Sequence, residues 1–261
     1  MSTKAPPLPA SMQAVILAGG LATRMLPRTE RVPKFLLDVA GRPFGARLLE
    51  KIAACGFDEV VLCIGHLGGA IRDIFGDGAA IGVRLRYSDE GEARLGTAGA
   101  LKLAAPLLQE TFLVTYGDSY LPFDYAGPLR DLRAHAEAMG TMAVYRNADL
   151  LDASNAVVSE GRVVRYEKRA AAAPRDPEMD HIDYGATALR REVLDPLPAG
   201  IPHDFSTIQR DLAASGRLRA HAASERFYEI GSEAGLRDLV EHVRAATDGS
   251  GSERDAKGGA S

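Results

Sequence analysis

An α/β fold built on a doubly wound, mostly parallel sheet is predicted by three features of the sequence. Short apolar runs alternate with amphipathic stretches as far as Arg146, which is β-α-β-α order. Prolines and glycines stand where helices should start and stop. A chain of 261 residues that is 46% hydrophobic can bury one substantial core, so one large domain is expected rather than two small ones.

Taken in order, "QAVILA" (Gln13 to Ala18), "EVVLCIG" (Glu59 to Gly65), "VRLRYS" (Val83 to Ser88), "TFLVTYG" (Thr111 to Gly117) and "TMAVYR" (Thr141 to Arg146) read as strands. "PFGARLLEKIAACG" reads as a helix that opens at Pro43 and stops at Gly56. "TAGALKLAAPLL" and "GPLRDLRAHAEAMG" repeat apolar residues at helical intervals. Beyond Arg146, "NAVVSEGRVVRYEK" reads as a hairpin turning at Glu160-Gly161, and "AAAPRDPEMD" as a Pro/Ala-rich loop.

Composition excludes several classes of function. The net charge of −4 argues against a nucleic-acid partner, and no tract is apolar for long enough to span a bilayer. Cys55 and Cys63 both lie inside apolar segments, so reduced core thiols in a cytoplasmic protein are expected. Residues 1–11 lack the apolar core of a signal segment and read as a flexible N-terminus. Residues 247–261 are polar and glycine-rich and read as a disordered tail, which leaves 12–246 as the domain.

In a sheet of this kind ligands bind outside the carboxyl ends of the strands, where "AVILAGGLATRM" breaks from strand into loop. Gly19 and Gly20 leave room for a ligand close to the backbone, although a glycine pair alone fits a tight structural turn better. Arg24 and Lys34 add two cations around that turn, and such a set suits a polyanion such as a triphosphate.

The motifs taken together resemble the sugar-1-phosphate nucleotidyltransferases. "AVILAGGLATRMLP", "VPK" and "AGRPF" are followed in family order by "LGTAGAL", "YGDSYL", "YEK", "DYGATAL" and "FYEIGSEAGL". The resemblance implies a Rossmann-like nucleotidyltransferase fold with a small β-rich sugar-binding insertion. The nucleotide-binding part would span about 12–146 and the sugar-binding part about 147–230. Two residues depart from the pattern: Ala22 stands where the family usually has glycine, and Glu229 where many relatives have aspartate.

The implied reaction is attack of a sugar 1-phosphate oxygen on the α-phosphorus of a nucleoside triphosphate, releasing pyrophosphate. The nucleophile is already ionised, so positioning and charge neutralisation suffice. By resemblance Arg24 holds the leaving pyrophosphate, Lys34 the α-phosphate and Lys168 the sugar phosphate, while Asp118 and Glu229 ligate Mg²⁺. Leu17, Ala18, Gly19, Gly20, Glu90, Gly96 and Thr97 match the nucleotide pocket, and Asn155, Glu167, Lys168 and Gly185 the sugar side. Within the family the sequence looks most like the single-domain heptose-1-phosphate guanylyltransferase branch. The branches acting on N-acetylmuramate 1-phosphate with UTP and on mannose 1-phosphate with GTP are the alternatives. The implied partners are an NTP and a sugar 1-phosphate, handled by a monomer or small homo-oligomer. Some members of the fold have lost catalysis and serve as regulatory subunits. Retention of Arg24, Lys34, Asp118, Lys168 and Glu229 argues for an enzyme.

Overall fold

A computed structural model describes residues 11–147, 150–169 and 174–255. The chain begins with β1 (Gln13–Leu17), a two-stranded ladder of β2 (Asp38–Val39) and β3 (Arg42–Pro43), and helix α1 (Phe44–Ala54). Next come β4 (Glu59–Ile64), α2 (Gly68–Phe75), β5 (Arg84–Asp89), α3 (Gly96–Ala104), β6 (Thr111–Tyr116), β7 (Ser119–Tyr120) and α4 (Ala126–Ala134). The second half contains β8 (Gly140–Arg146), β9 (Ala156–Ser159), β10 (Arg162–Tyr166) and β11 (His181–Arg190). It ends with α5 (Phe205–Ala214), β12 (Leu218–Ala223), β13 (Tyr228–Glu229) and α6 (Glu233–Asp255).

Nine strands form the main sheet in the order β5-β4-β1-β6-β11-β8-β12-β10-β9. The register makes β5, β4, β1, β6, β8, β12 and β9 run one way and β11 and β10 the other, so the sheet is mostly parallel with two reversed strands. β11 is the element whose strand pattern the sequence hides. Gly185 at φ 96 sits in an irregularity between Asp183 and Thr187 that interrupts the period-two alternation. The other hairpin follows its turn chemistry: Glu160 at φ 49 and Gly161 at φ 73 give both central residues the positive φ of a type I′ turn.

The central strands are buried on both faces, which explains why "AVIL" is continuously apolar. Ala14, Ile16, Val60 and Leu62 face a core completed by α1, α2, α4 and α6, while Val15, Val61, Phe112 and Val114 face a second core against α3 and α5. The α6 backbone stays helical through Thr247–Asp255, inside the stretch expected to be a disordered tail. Residues 256–261, 1–10 and the first three of the expected Ala-rich loop lie outside the described residues. Among the described residues no helix is long and apolar enough to cross a membrane. Cys55 and Cys63 are free thiols.

Candidate active site

After β1 the chain turns to β4 and β5 on one side and to β6 on the other, so a crevice opens between the carboxyl ends of β1 and β6. A cavity of about 400 Å³ fills it, and the predicted Leu17, Ala18, Gly19, Gly20, Lys34, Glu90, Gly96, Thr97 and Asp118 all line it. Arg94, Tyr116, Gly117 and Cys63 also line it, with Leu21, Ala22, Phe35 and Ala100. Burial, then nearby Glu90, push the Cys63 thiol up to about 12, so it is an inert wall residue.

The glycines here have identifiable reasons. A side chain at Gly19 would put its Cβ 2.9 Å from Glu90 Oε1, so the residue is small because the Glu90 carboxylate occupies that space. Glu90 Oε2 accepts the Leu95 amide at 2.8 Å and fixes the loop that leads into α3. Gly96 has φ 68, and a Cβ there would meet the His203 carbonyl at 2.6 Å. Its requirement is therefore set by the chain segment behind it, in addition to any ligand in front. Thr97 Oγ1 likewise accepts the Phe205 amide at 2.7 Å. Ala22, at the position where the family usually has glycine, adopts the left-handed conformation (φ 51, ψ 37) that favours glycine.

A second cavity of about 190 Å³ adjoins the first at Tyr116, and Asn155, Lys168, Gly185 and Glu229 line it. Glu167 does not. Tyr166 and Lys168 line the cavity, and the alternation of an extended chain turns the residue between them outward, where its side chain is 57% exposed. Arg24 also departs from expectation: it is exposed on a short 3-10 turn, lines neither cavity, and lies beside Gly231.

The two cavities meet at a pair of acids. β13 pairs antiparallel with β7, setting Glu229 opposite Ser119, and the Ile230 amide donates to the Asp118 carbonyl at 2.9 Å. This ladder draws together residues far apart in sequence. Asp118 Oδ2 accepts from Lys34 Nζ at 2.9 Å. Burial, then the charges of Asp118 and Asp152, push the Glu229 carboxyl up to about 7 against the opposing pull of Arg24 and Lys34. A site in which two acids repel one another is chemically suited to a divalent cation. Among the described residues no group of three or more His, Cys, Asp or Glu side chains converges as a metal site, so two carboxylates are the available set.

In the smaller cavity Lys168 Nζ pairs with Asp204, whose carboxyl is raised by burial but held below its ordinary value by Lys168 and the Ser206 hydroxyl and amide. Asp183 is pushed up by burial, an effect opposed by the Gly185 amide and Gln209. Asp152 and Asp204 lie outside every motif, and Asp183 opens "DYGATAL" without being marked there as a site residue. They come from a loop, a reversed strand and a helix start that only the tertiary fold brings to one place.

The family model for nucleotidyl transferases matches residues 13–160. The chain belongs to the nucleotidyl transferase family. The chain is 35% identical over 192 residues to a mannose-1-phosphate guanylyltransferase of Mycobacterium tuberculosis, covering 72% of the chain and 52% of that protein. It is 44% identical over 115 residues to an N-acetylmuramate alpha-1-phosphate uridylyltransferase of Neisseria meningitidis, covering 44% of the chain and 50% of that protein. The chain thus spans about half the length of the curated relatives it matches. In fold it is similar to the crystal structure of a glucose-1-phosphate thymidylyltransferase from Bacillus anthracis, with a TM-score of 0.78, 20% identity, and 90% of this chain and 96% of that one covered.

Proposed function

We propose that this nucleotidyl transferase joins a nucleoside triphosphate to a sugar 1-phosphate, forming a nucleotide-diphosphate sugar and pyrophosphate. The observation that carries the reading is the meeting of the two cavities at Asp118 and Glu229, with one lysine on each side: Lys34 in the larger cavity and Lys168 in the smaller. A sugar phosphate oxygen attacks the α-phosphorus, the bond to the bridging oxygen breaks, and pyrophosphate departs. No proton need be removed, so the chain's residues act by holding charge in place.

Lys34 supplies a point charge to the α-phosphate and Lys168 one to the sugar phosphate. Asp118 and Glu229 would hold Mg²⁺, which supplies charge neutralisation across the phosphates when bound. Arg24, exposed beside Gly231 and near enough for its charge to act on Glu229, would hold the pyrophosphate portion.

For substrates we infer GTP and D-glycero-D-manno-heptose 1-phosphate. The heptose shares its ring configuration with mannose, the sugar named for the Mycobacterium relative, so the two point to one kind of acceptor. For the base, Glu90 keeps Oε2 on the Leu95 amide and turns Oε1 toward Gly19 and Gly65, where it can accept from the adjacent N–H donors of guanine. The Neisseria relative supports the competing pair of UTP and N-acetylmuramate 1-phosphate. Following pyrophosphate release from a panel of NTPs and sugar 1-phosphates with Mg²⁺ decides among them. Release with no pair would refute the transfer reading if the protein is folded. Glu90→Gln should weaken use of GTP more than of UTP, and an equal loss on both would remove the base assignment.

A further inference from the structure

The smaller cavity carries an unusual charge balance for a site meant to take a phosphate. Four carboxyl groups line it, Asp152, Asp183, Asp204 and Glu229, against a single cation, Lys168. That cation is already paired with Asp204. Arg165, close by in sequence, is occupied elsewhere by Asp176 and Glu178 and does not line the cavity.

Three of the acids are pinned. Asp183 accepts the Gly185 amide at 3.0 Å through Oδ1 and the amide of Gln209, which is fully buried, at 2.7 Å through Oδ2. Asp204 caps α5 by accepting the Ser206 amide at 2.9 Å. Asp152 accepts the Ala153 amide at 2.7 Å, and its loop is held by fully buried Asn147, whose side chain donates to the Asp152 carbonyl at 2.6 Å and accepts the Leu151 amide at 3.0 Å. These three carboxyl groups are therefore oriented by backbone amides together with the Gln209 and Ser206 side chains.

We propose that this cavity is a charge filter, accepting neutral polyhydroxylated sugar 1-phosphates and rejecting sugars that carry a second acidic group, such as a uronate or an O-lactyl carboxylate. The inference rests on the reading of this cavity as the sugar 1-phosphate side. Carboxylates only accept hydrogen bonds, and ring hydroxyls donate them, so a neutral sugar satisfies the lining. The sugar's phosphate takes Lys168 in place of Asp204, and Glu229 belongs to the acid pair at the cavity junction. A second anion on the sugar then meets Asp152 and Asp183 with no lining cation left to pair with it among the described residues.

The test is direct binding, measured by calorimetry on the whole chain without NTP, of mannose 1-phosphate and mannuronate 1-phosphate, which differ by replacement of CH₂OH with a carboxylate. The neutral sugar should bind at least about tenfold more tightly, the scale expected of one like-charge contact in a partly screened cleft. High salt, and Asp152→Asn, should each narrow the gap severalfold because both weaken the repulsion. Equal or tighter binding of the uronate overturns the filter. So does a gap unmoved by salt and by the variant, which would mark a steric preference. If the gap behaves as expected but no sugar 1-phosphate releases pyrophosphate, the transfer reading falls and the filter stands. If neither sugar binds, both fall.

Discussion

The wall of the larger cavity is mostly backbone and small residues at strand ends, Leu17 to Ala22 and Gly117 among them, whereas the smaller cavity is lined by paired polar side chains from Asp152, Asn155, Lys168, Asp183, Asp204 and Glu229. The first is shaped by the local path of the chain. The second holds its one lining cation, Lys168, in an ion pair with Asp204, which a sugar phosphate would have to displace on the proposed reading. Near the junction, Asp118 follows Gly117 at a strand end of the larger cavity, its carboxylate engaged by Lys34, and its charge acts on Glu229 of the smaller one. On the proposed reading selectivity is divided: Glu90 reads the base in the larger cavity and the paired side chains of the smaller one read the sugar, while the backbone around Gly19 and Gly20 serves the phosphates.

The largest way to break this arrangement is at the junction. Asp118→Asn keeps the side chain's shape but removes its charge. It should lower turnover by roughly 10²–10³-fold, the range for loss of one preorganised electrostatic contact. Pyrophosphate release at saturating substrates measures it. A variant with wild-type turnover would remove Asp118 from the chemistry.

Next, the two lysines should separate the halves. Lys168→Ala is expected to raise KM for the sugar 1-phosphate by about 10–100-fold with little change for the NTP, and Lys34→Ala to lower turnover and NTP use, by loss of a charge-assisted contact in each case. Indistinguishable effects of the two on both substrates would show that the cavities do not divide the substrates.

Residues 203–205 join the halves. The His203 amide donates to the Leu95 carbonyl at 2.9 Å, its carbonyl accepts Ala98 at 3.0 Å, and Asp204 follows directly in the other cavity. Gly96→Ala would press a methyl against that backbone carbonyl at a positive φ, and about 2–3 kcal/mol of stability should be lost, the cost of strain plus a contact that cannot relax. Thermal unfolding reads the loss, and KM should rise for both substrates together. A variant as stable as wild type would mean that the segment yields easily.

How legible each half was follows from the same contrast. Strand ends and glycine turns are written in consecutive residues, so Leu17 to Gly20, Glu90, Gly96, Thr97 and Asp118 were found from motifs and stand together. Asp152 and Asp204 are single acids outside any motif, and Asp183 opens "DYGATAL" in β11, whose glycine irregularity masks the strand, so only the fold shows that the three share a cavity. Glu167 lies outside the cavity because a motif marks a neighbourhood while alternation decides which of its residues point inward. Arg24, which the resemblance sets on the pyrophosphate, stands outside both cavities on the turn that Ala22 begins.

A smaller effect is expected beneath the side-chain half, where Asp131 of α4 accepts Arg219 of β12 at 2.8 and 3.1 Å and Thr141 of β8 at 3.0 Å. Burial raises the Asp131 carboxyl, but these donors together bring it below its ordinary value. A carboxyl depressed in the folded state contributes stability above its unfolded pKa, and that contribution is lost as pH falls through the folded value. Asp131→Asn should therefore cost about 1–2 kcal/mol near neutral pH, with the difference from wild type closing in acid below about pH 4. Denaturant titration at several pH values checks this, and a difference independent of pH would assign the loss to packing.

The smallest effect sharpens the comparison from the backbone half. Ala22 holds φ 51 because its carbonyl accepts both the Met25 amide at 2.9 Å and the Thr29 hydroxyl at 2.9 Å, so the turn is fixed from outside the residue. A left-handed alanine costs roughly 1–2 kcal/mol, while glycine gives back about 0.5–1 kcal/mol through the freedom it gains in the unfolded chain. Ala22→Gly should thus stabilise by under about 1 kcal/mol, raising Tm by about 1–3 °C for a chain of this size and leaving both KM values unchanged. Ala22→Val should act in the opposite sense, because a β-branched residue fits this region worst. Differential scanning calorimetry of the three proteins orders them. If valine were tolerated as well as glycine, the left-handed turn would not be a constraint on the loop, and the backbone half would be softer than its geometry implies.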